Sequence, residues 1–524
     1  MGTTTGLGSV PTHLNLLLQH SYSVYVRFVP TDHPIKKFDP LTGFGRNQKK
    51  GSSLVILPKT KTSNLGETMN FATDNRAGGQ EPLDPAQLDV AIVGSGMAGM
   101  SAAWLLSQAH SVTVFEQGTR VGGHSNTVDV ETGGIKTPVD TGFIVYNNET
   151  YPNLVALFAH LGVPTEASDM SFAVSIDNGS FEYGSGSLNA MLGQRQNIVT
   201  PRYWRMVLNV KLFFEQAVKF LNQETPDNTI TLGDFLGQHG FTGDMVERFI
   251  LPMGAAIWST KPAEMKEQPA VTFLKFLESH GLLQFTGQYP WRTVTGGSRA
   301  YVKRLTADYE DRIAVGRGVT KIKRLDHRVE LTDTVGHTTK HDAVVIAAHA
   351  DEALNMLSDP DPTEKRLLKS FQYTDNRVVL HSDPTLMPQR KRVWSSWNFM
   401  GQDDAGVSVT YWMNRLQSLD NRHPLFVSVN PVREPNPATV HRFFDYQHPF
   451  FNLDSWQAQQ ELWQLQGSRN TWFCGSYFGA GFHEDALQSG LAVAEELGGV
   501  KRPWKVQNDS ARIYRGVRKK GVAA

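Results

Sequence analysis

The residues best able to do chemistry lie at 90–99. Val90-Ala91-Ile92-Val93 is an apolar run, and Gly94-Ser95-Gly96-Met97-Ala98-Gly99 follows with the spacing G-x-G-x-x-G. Ala102, Ala103, Leu105 and Leu106 continue as an apolar helix, and Val112-Thr113-Val114-Phe115 reads as a second strand ending on the acid Glu116. Each part has a mechanical task. Gly94 permits a tight strand-to-helix turn, Gly96 lets a pyrophosphate approach the backbone, and Gly99 lets helix and strand pack closely. The helix N-terminus offers free N–H groups and a partial positive charge to phosphate. Glu116 stands where an acid grips the adenosine ribose hydroxyls. Taken alone, the glycine spacing is also that of a plain turn in a parallel sheet. Strand, helix, second strand and terminal acid in this order predict a bound dinucleotide.

The residues after the acid indicate which dinucleotide. Gln117-Gly118-Thr119-Arg120-Val121-Gly122-Gly123-His124 comes next, and Asp140-Thr141-Gly142-Phe143 soon after. An NAD site has no need of an Arg-x-Gly-Gly loop there. Paired glycines admit a bulky ring against backbone, and an Arg neutralises phosphate charge. Ile313-Ala314-Val315, Val319-Thr320-Lys321-Ile322, Val329-Glu330-Leu331 and residues 342–348 read as further strands. The last of these is almost wholly apolar, as a buried parallel strand requires. Thr471-Trp472-Phe473-Cys474-Gly475 is a final strand, and Gly481-Phe482-His483-Glu484-Asp485-Ala486 opens a final helix.

These motifs closely resemble the flavin-containing amine oxidase superfamily, which also holds phytoene desaturases and protoporphyrinogen oxidases. The resemblance implies a Rossmann-like α/β FAD-binding domain of the glutathione-reductase type, with an inserted α+β substrate domain. It implies cofactor contacts from Gly94, Ser95, Gly96, Met97, Ala98, Gly99, Glu116 and Gln117. Arg120, Gly122 and Gly123 then lie along the pyrophosphate and flavin, Thr141, Gly142 and Phe143 beside the isoalloxazine, and Val319 on the adenine side. Gly475, Glu484, Asp485 and Ala486 belong to the closing flavin motif. Family members often carry a second Arg where this chain has His124, so the fixed charge is replaced by an imidazole that can donate one hydrogen bond. His483 is the titratable group expected to face the flavin, as a catalytic donor or as a plain helix cap.

Pro252-Met253-Gly254-Ala255-Ala256-Ile257-Trp258-Ser259, residues 410–417 and residues 481–485 are similar to a bacterial group of FAD oxidoreductases. That group resembles the flavin domain fused to plant cyclopropane fatty acid synthases and is often linked with lipid-modifying methyltransferases. The likeness covers 87–497. It implies an FAD-dependent oxidoreductase that moves hydride from a C–H bond of an apolar, acyl-lipid-like substrate to flavin, with a methyltransferase as an implied partner. Two alternatives stand beside it: an oxygen-using amine oxidase, for which no lysine near the flavin is assignable, and a low-turnover flavin- and lipid-binding subunit.

The elements that must position these groups are spread over a chain of 524 residues, too long for one ordinary core. The FAD-binding domain is expected at 85–150, 296–354 and 465–497, and the substrate domain at 151–295 and 355–464. The inserts read as helices at 201–221, 243–257 and 271–278, with strands at 172–174, 407–412 and 425–429. They are rich in aromatics, which suits either core or an apolar tunnel. Lys+Arg and Asp+Glu are both 51, so nothing in the net charge calls for nucleic acid. The single cysteine, Cys474, excludes an intramolecular disulfide and suits a reducing, cytoplasmic setting. No Cys/His cluster has zinc spacing, so no metal is expected.

Residues 1–84 carry no motif. They read as a disordered extension or an over-long reading of the gene with Met69 as the true start, and their basic residues also suit a transit sequence. Residues 498–524 form a basic tail expected to be solvated, or to hold anionic lipid heads weakly.

Overall fold

The computed structural model describes residues 87–258, 261–285, 289–402, 406–507 and 509–516. The expectations for residues 1–84 and for Met69 lie outside them. Five parallel strands form the central sheet, in the spatial order Ile313–Val315, Ser111–Glu116, Asp89–Val93, Ala343–Ile346, Thr471–Phe473. Ala343–Ile346 is buried along its whole length, as its unbroken apolar run requires. These strands come from three separate stretches of sequence, 89–116, 313–346 and 471–473. A three-stranded antiparallel sheet, Val319–Arg324, Val329–Asp333 and Thr338–His341, accompanies it.

The helix Met97–Leu106 starts directly after the first strand and is buried on every side. The closing helix His483–Gly498 lies against it so tightly that a Cβ on Gly490 would run into Ala98 and Ser101. Together the two helices lay two N-termini along one side of the sheet's C-terminal ends.

The two inserts share one seven-stranded sheet. Phe172–Ile176 and Phe181–Gly184 come from the first insert and the other five strands from the second. The join is the parallel pairing of Phe172–Ile176 with Trp397–Gln402. The helix Leu251–Trp258 packs on this sheet, and Ala270–Ser279 meets that helix through Phe273 and Phe276, whose rings lie against Trp258. Tyr203 of Pro201–Leu221 lies against Phe181 and Tyr183 at the sheet's edge. The helix expected at 243–257 contains a π-helical turn, Val246–Ile250, before Leu251–Trp258.

The C-terminal segment corrects one expectation. Lys501, Lys505 and Arg515 are exposed as expected of a solvated tail, but two of its arginines are not. Arg502 is buried, with Nε 2.8 Å from Glu495 Oε1 and Nη1 donating to Asn153 Oδ1 at 2.9 Å. Arg512 donates to Asp485 Oδ1 at 2.6 Å and to Thr150 O at 2.9 Å. These arginines neutralise carboxylates on the closing helix, which burial would otherwise make costly to keep charged. Among the described residues no helix is long and apolar enough to cross a membrane.

Candidate active site

A chamber of about 1140 Å³ runs along the C-terminal ends of the parallel strands and on under the seven-stranded sheet. A drug-sized ligand needs roughly 300–1,000 Å³, so this space suits a dinucleotide together with a second molecule. At one end the backbone of Gly94–Ala98 lines it, with Glu116–Gly118 and Gly318–Thr320 alongside. Gly94 has φ +99°, and a Cβ there would lie 2.6 Å from Ala347 O. A Cβ on Gly99 would collide with Gly94 O. At Gly96, in contrast, a Cβ meets nothing within 4 Å. The middle glycine thus faces open space where a phosphate must approach, while its neighbours serve the turn and the packing. No side chain caps the helix that Gly96 starts, so its first N–H groups remain available to an anion.

Glu116 is held ready by its surroundings. Its Oε2 accepts from Ser95 N at 2.9 Å and from the Ser95 hydroxyl, and its Oε1 accepts from Gly118 N at 2.7 Å. Arg120 lines the chamber but spends donors on its own loop, reaching Ser125 O at 3.2 Å and Gly123 O at 2.6 Å. That clamp shapes the glycine pair. Gly123 faces the chamber, whereas Gly122 is buried and donates to Ser95 O at 3.1 Å. Gln117, Thr141, Gly142, Phe143, Val319, Gly475, His483 and Ala486 also line it.

Glu484 and Asp485 do not, and this is the second correction. Glu484 accepts from Asn153 N at 3.0 Å and Leu154 N at 3.0 Å, capping the helix Pro152–His160. Asp485 accepts from Phe482 N at 2.7 Å and pairs with Arg512. Both carboxyls are pushed upward by burial, against which their hydrogen bonds and Arg512 pull. They fasten the closing motif from behind. Gly99 and Gly122 likewise act through packing and stand off the chamber wall.

His483 opens the closing helix and stacks on Phe143, with ring centroids 3.9 Å apart. Its Nε2 lies 2.7 Å from Tyr301 OH and 3.2 Å from Ser125 Oγ, and those two hydroxyls are hydrogen-bonded to each other. Burial pushes its pKa down to about 3, so the ring is neutral. His124 is also pushed to about 3, first by burial and then by the neighbouring His448 and His349. Its Nε2 has no hydrogen-bond partner among the described residues.

Several functional positions escaped sequence reasoning. Asp140 accepts from Thr127 Oγ1 at 2.6 Å, Ser298 N at 2.9 Å and Gln417 Nε2 at 3.0 Å, tying three distant stretches of sequence together beside Thr141-Gly142-Phe143. Burial raises its pKa to about 6. Tyr446 OH meets Asn126 Nδ2 at 2.7 Å and Thr141 Oγ1 at 2.8 Å. Tyr301 and His280 carried no motif. The one local hint for Tyr301 is its place three residues past Ser298, just after the Gly296-Gly297 turn.

The geometry fits FAD. The Gly94–Ala98 turn and Glu116 would hold the pyrophosphate and ribose, and the Gly123, Gly142 and Gly475 surfaces would admit a flat ring. Cys474 is buried outside the chamber wall and its thiol is pushed upward by burial, so it offers no tether. Acid precipitation is therefore expected to release all the flavin into the supernatant. Colour retained in the pellet would contradict a non-covalent site.

The profile described as flavin containing amine oxidoreductase matches residues 97–498. Cyclohexylamine oxidase from Brevibacterium oxydans IH-35A is similar in fold at TM-score 0.57 and 16% identity, covering 78% of this chain and 99% of that one. A CLA-producing fatty acid isomerase from P. acnes aligns at TM-score 0.56 and 16% identity, covering 77% and 97%. A putative protoporphyrinogen oxidase from Exiguobacterium sp. 255-15 aligns at 0.56 and 15%, covering 79% and 99%. No curated protein matches in sequence. With the profile spanning most of the chain and the cradle in place, this protein belongs to the flavin-containing amine oxidoreductase family and is an FAD-dependent oxidoreductase.

Proposed function

We propose that the protein oxidises a C–H bond of an apolar, acyl-lipid-like substrate held in the far end of the chamber. The observation that carries this reading is the chemistry of that wall. Ile257, Trp258, Phe276, Trp291, Trp397 and Tyr411 form it. Asp375 and Asp445 of the lining are exposed, and Glu352, half-buried, accepts from His349 N at 3.2 Å. Glu116 is committed to Ser95 and Gly118. An alkylammonium ion taken into such a wall loses its hydration with no buried anion to meet it, whereas an acyl chain gains from burial. No lysine lines the chamber among the described residues. The solved neighbours include both an amine oxidase and a fatty acid isomerase, so the fold leaves this choice to the wall.

Bound FAD supplies the hydride acceptor. The chain's own residues orient the substrate, keep the space dry and hold a polar group by the ring. With Tyr301 OH as the donor to His483 Nε2, the neutral imidazole carries its proton on Nδ1 and can donate from there. The N-terminus of the closing helix adds a partial positive charge on the same side. His483→Ala is expected to slow flavin reduction by about 10²-fold while flavin stays bound, as for the loss of one aimed donor. Stopped-flow reduction beside a thermal melt checks it, and an unchanged rate constant would reduce His483 to a structural residue.

Anaerobic bleaching of the flavin tests the proposal itself. Oleoyl phospholipid in detergent is expected to bleach it and cyclohexylamine to leave it oxidised. Bleaching by the amine alone would favour the amine oxidase reading. Bleaching by neither would favour a low-turnover binding subunit partnered with a lipid-modifying enzyme.

A further inference from the structure

Of the eleven exposed large apolar side chains among the described residues, five fall between residues 188 and 212. Leu188, Ile198, Val199, Leu208 and Leu212 lie within one stretch of sequence, with exposures from 44% (Ile198) to 81% (Val199). The helix Pro201–Leu221 explains the pattern, because it is apolar on two faces. Tyr203, Met206, Val210, Phe213, Ala217 and Phe220 are buried. Trp204, Leu208 and Leu212, spaced by four, make a second row that faces outward. The preceding turn belongs to the same surface: Trp204 Nε1 donates to Ile198 O at 2.9 Å, and Tyr203 OH donates to Met191 O at 2.8 Å. An outward stripe of this kind serves nothing in the fold.

Charge identifies what covers it. Although the whole chain is neutral, residues 185–221 carry Arg195, Arg202, Arg205, Lys211 and Lys219 against Glu215 alone. Arg202 is paired with Asp244 and Lys211 reaches Glu215 at 3.9 Å, so Arg195, Arg205 and Lys219 keep their charge free of any acid among the described residues. A row of Trp and Leu with cations beside it matches an anionic bilayer surface, where the apolar row enters the acyl boundary and the cations meet lipid phosphates. A second copy of the chain fits less well, because a two-fold contact would set the same cations against each other.

We propose that the outward face of Pro201–Leu221, with Leu188, Ile198 and Val199, docks the protein on anionic membranes. The helix that carries this surface is joined to the chamber by one loop. His280 and Leu282 line the chamber, and Phe285, exposed three residues further on, rests against Phe214 of the same helix with ring centroids 5.2 Å apart. The docking holds whichever substrate the chamber takes.

Sedimentation of the full-length, flavin-loaded protein with phosphatidylcholine vesicles, with and without phosphatidylglycerol, tests this. Binding is expected only with phosphatidylglycerol and is expected to weaken with added salt. Leu208→Glu/Leu212→Glu should lower it by at least about tenfold at unchanged flavin content and melting temperature. Arg205→Glu/Lys211→Glu, which leaves the apolar row intact, should also lower it by about tenfold or more. The proposal is overturned if the wild type stays in the supernatant with both vesicles, if it binds neutral vesicles equally well, or if both variants bind as the wild type does. It is also overturned if light scattering finds a dimer that Leu208→Glu/Leu212→Glu breaks, since that assigns the face to a second copy.

Discussion

Replacing Gly96 with valine is expected to yield a folded protein that purifies without flavin. Gly96 has φ −68° and ψ −179°, an extended conformation open to any residue, and a Cβ there meets nothing within 4 Å. The substitution therefore costs the polypeptide little. The space it fills is the one through which a phosphate reaches the uncapped N–H groups of Met97–Leu106. Displacing the pyrophosphate from two charged hydrogen bonds costs about 3–6 kcal/mol, enough to lose the flavin on purification. Gly99→Ala supplies the contrast: its Cβ runs into Gly94 O, so it should lower stability along with flavin content. Glu116→Ala should weaken flavin binding by about 1.5–3 kcal/mol. Flavin absorbance per protein, read beside a thermal melt, separates these results. Full occupancy in Gly96→Val would put the cofactor somewhere else.

These glycines were legible in the sequence because each performs a local task. Spacing alone assigns Gly94 to a turn, Gly96 to an open face and Gly99 to a contact, and the structure has each one there. Periodicity likewise marked Pro201–Leu221 and the apolar strand that became Ala343–Ile346. Long-range partnership was not legible. Phe172–Ile176 pairs with Trp397–Gln402 across more than two hundred residues, and no local pattern encodes that register. The same blindness misplaced Glu484 and Asp485. Their position next to His483 suggested cofactor contact, but successive residues on a helix point about 100° apart. Their carboxylates turn instead to Asn153 and Arg512, groups far away in sequence. The tail failed for that reason too: a basic stretch looks solvated until the carboxylates it neutralises are known. Asp140, quoted only as a motif letter, clasps Ser298 and Gln417 from two other stretches.

In the acid limb of the stability curve, His280→Phe is expected to be more stable than the wild type, although it is less stable at neutral pH. His280 is buried among Phe276, Phe482 and Trp291, with its Nδ1 donating to Phe276 O at 2.9 Å. Burial, and then the nearby Arg512, push its pKa down to about 3, outweighing that carbonyl bond. In the unfolded chain the same group titrates near about 6.5. Between those values the unfolded state binds a proton that the native state refuses, so stability falls as pH falls. The slope is about 1.36 kcal/mol per pH unit, or about 3 kcal/mol lost at pH 4. His124 and His483, also pushed to about 3, impose two further such slopes, and the three together cost about 10 kcal/mol at that pH. Asp140 works the other way. Its pKa is raised to about 6, so the native state takes up a proton first and gains stability between about pH 6 and 4. The wild-type curve alone mixes these opposing slopes, and the difference from His280→Phe isolates one of them. Phenylalanine cannot be protonated and suits the aromatic surroundings, but it forfeits the hydrogen bond to Phe276 O, worth about 1 kcal/mol. The two curves should therefore cross between pH 6.5 and 5. Urea denaturation at a series of pH values reads the difference directly. Parallel curves would mean that His280 is protonated in the folded protein and that this end of the chamber is open to water.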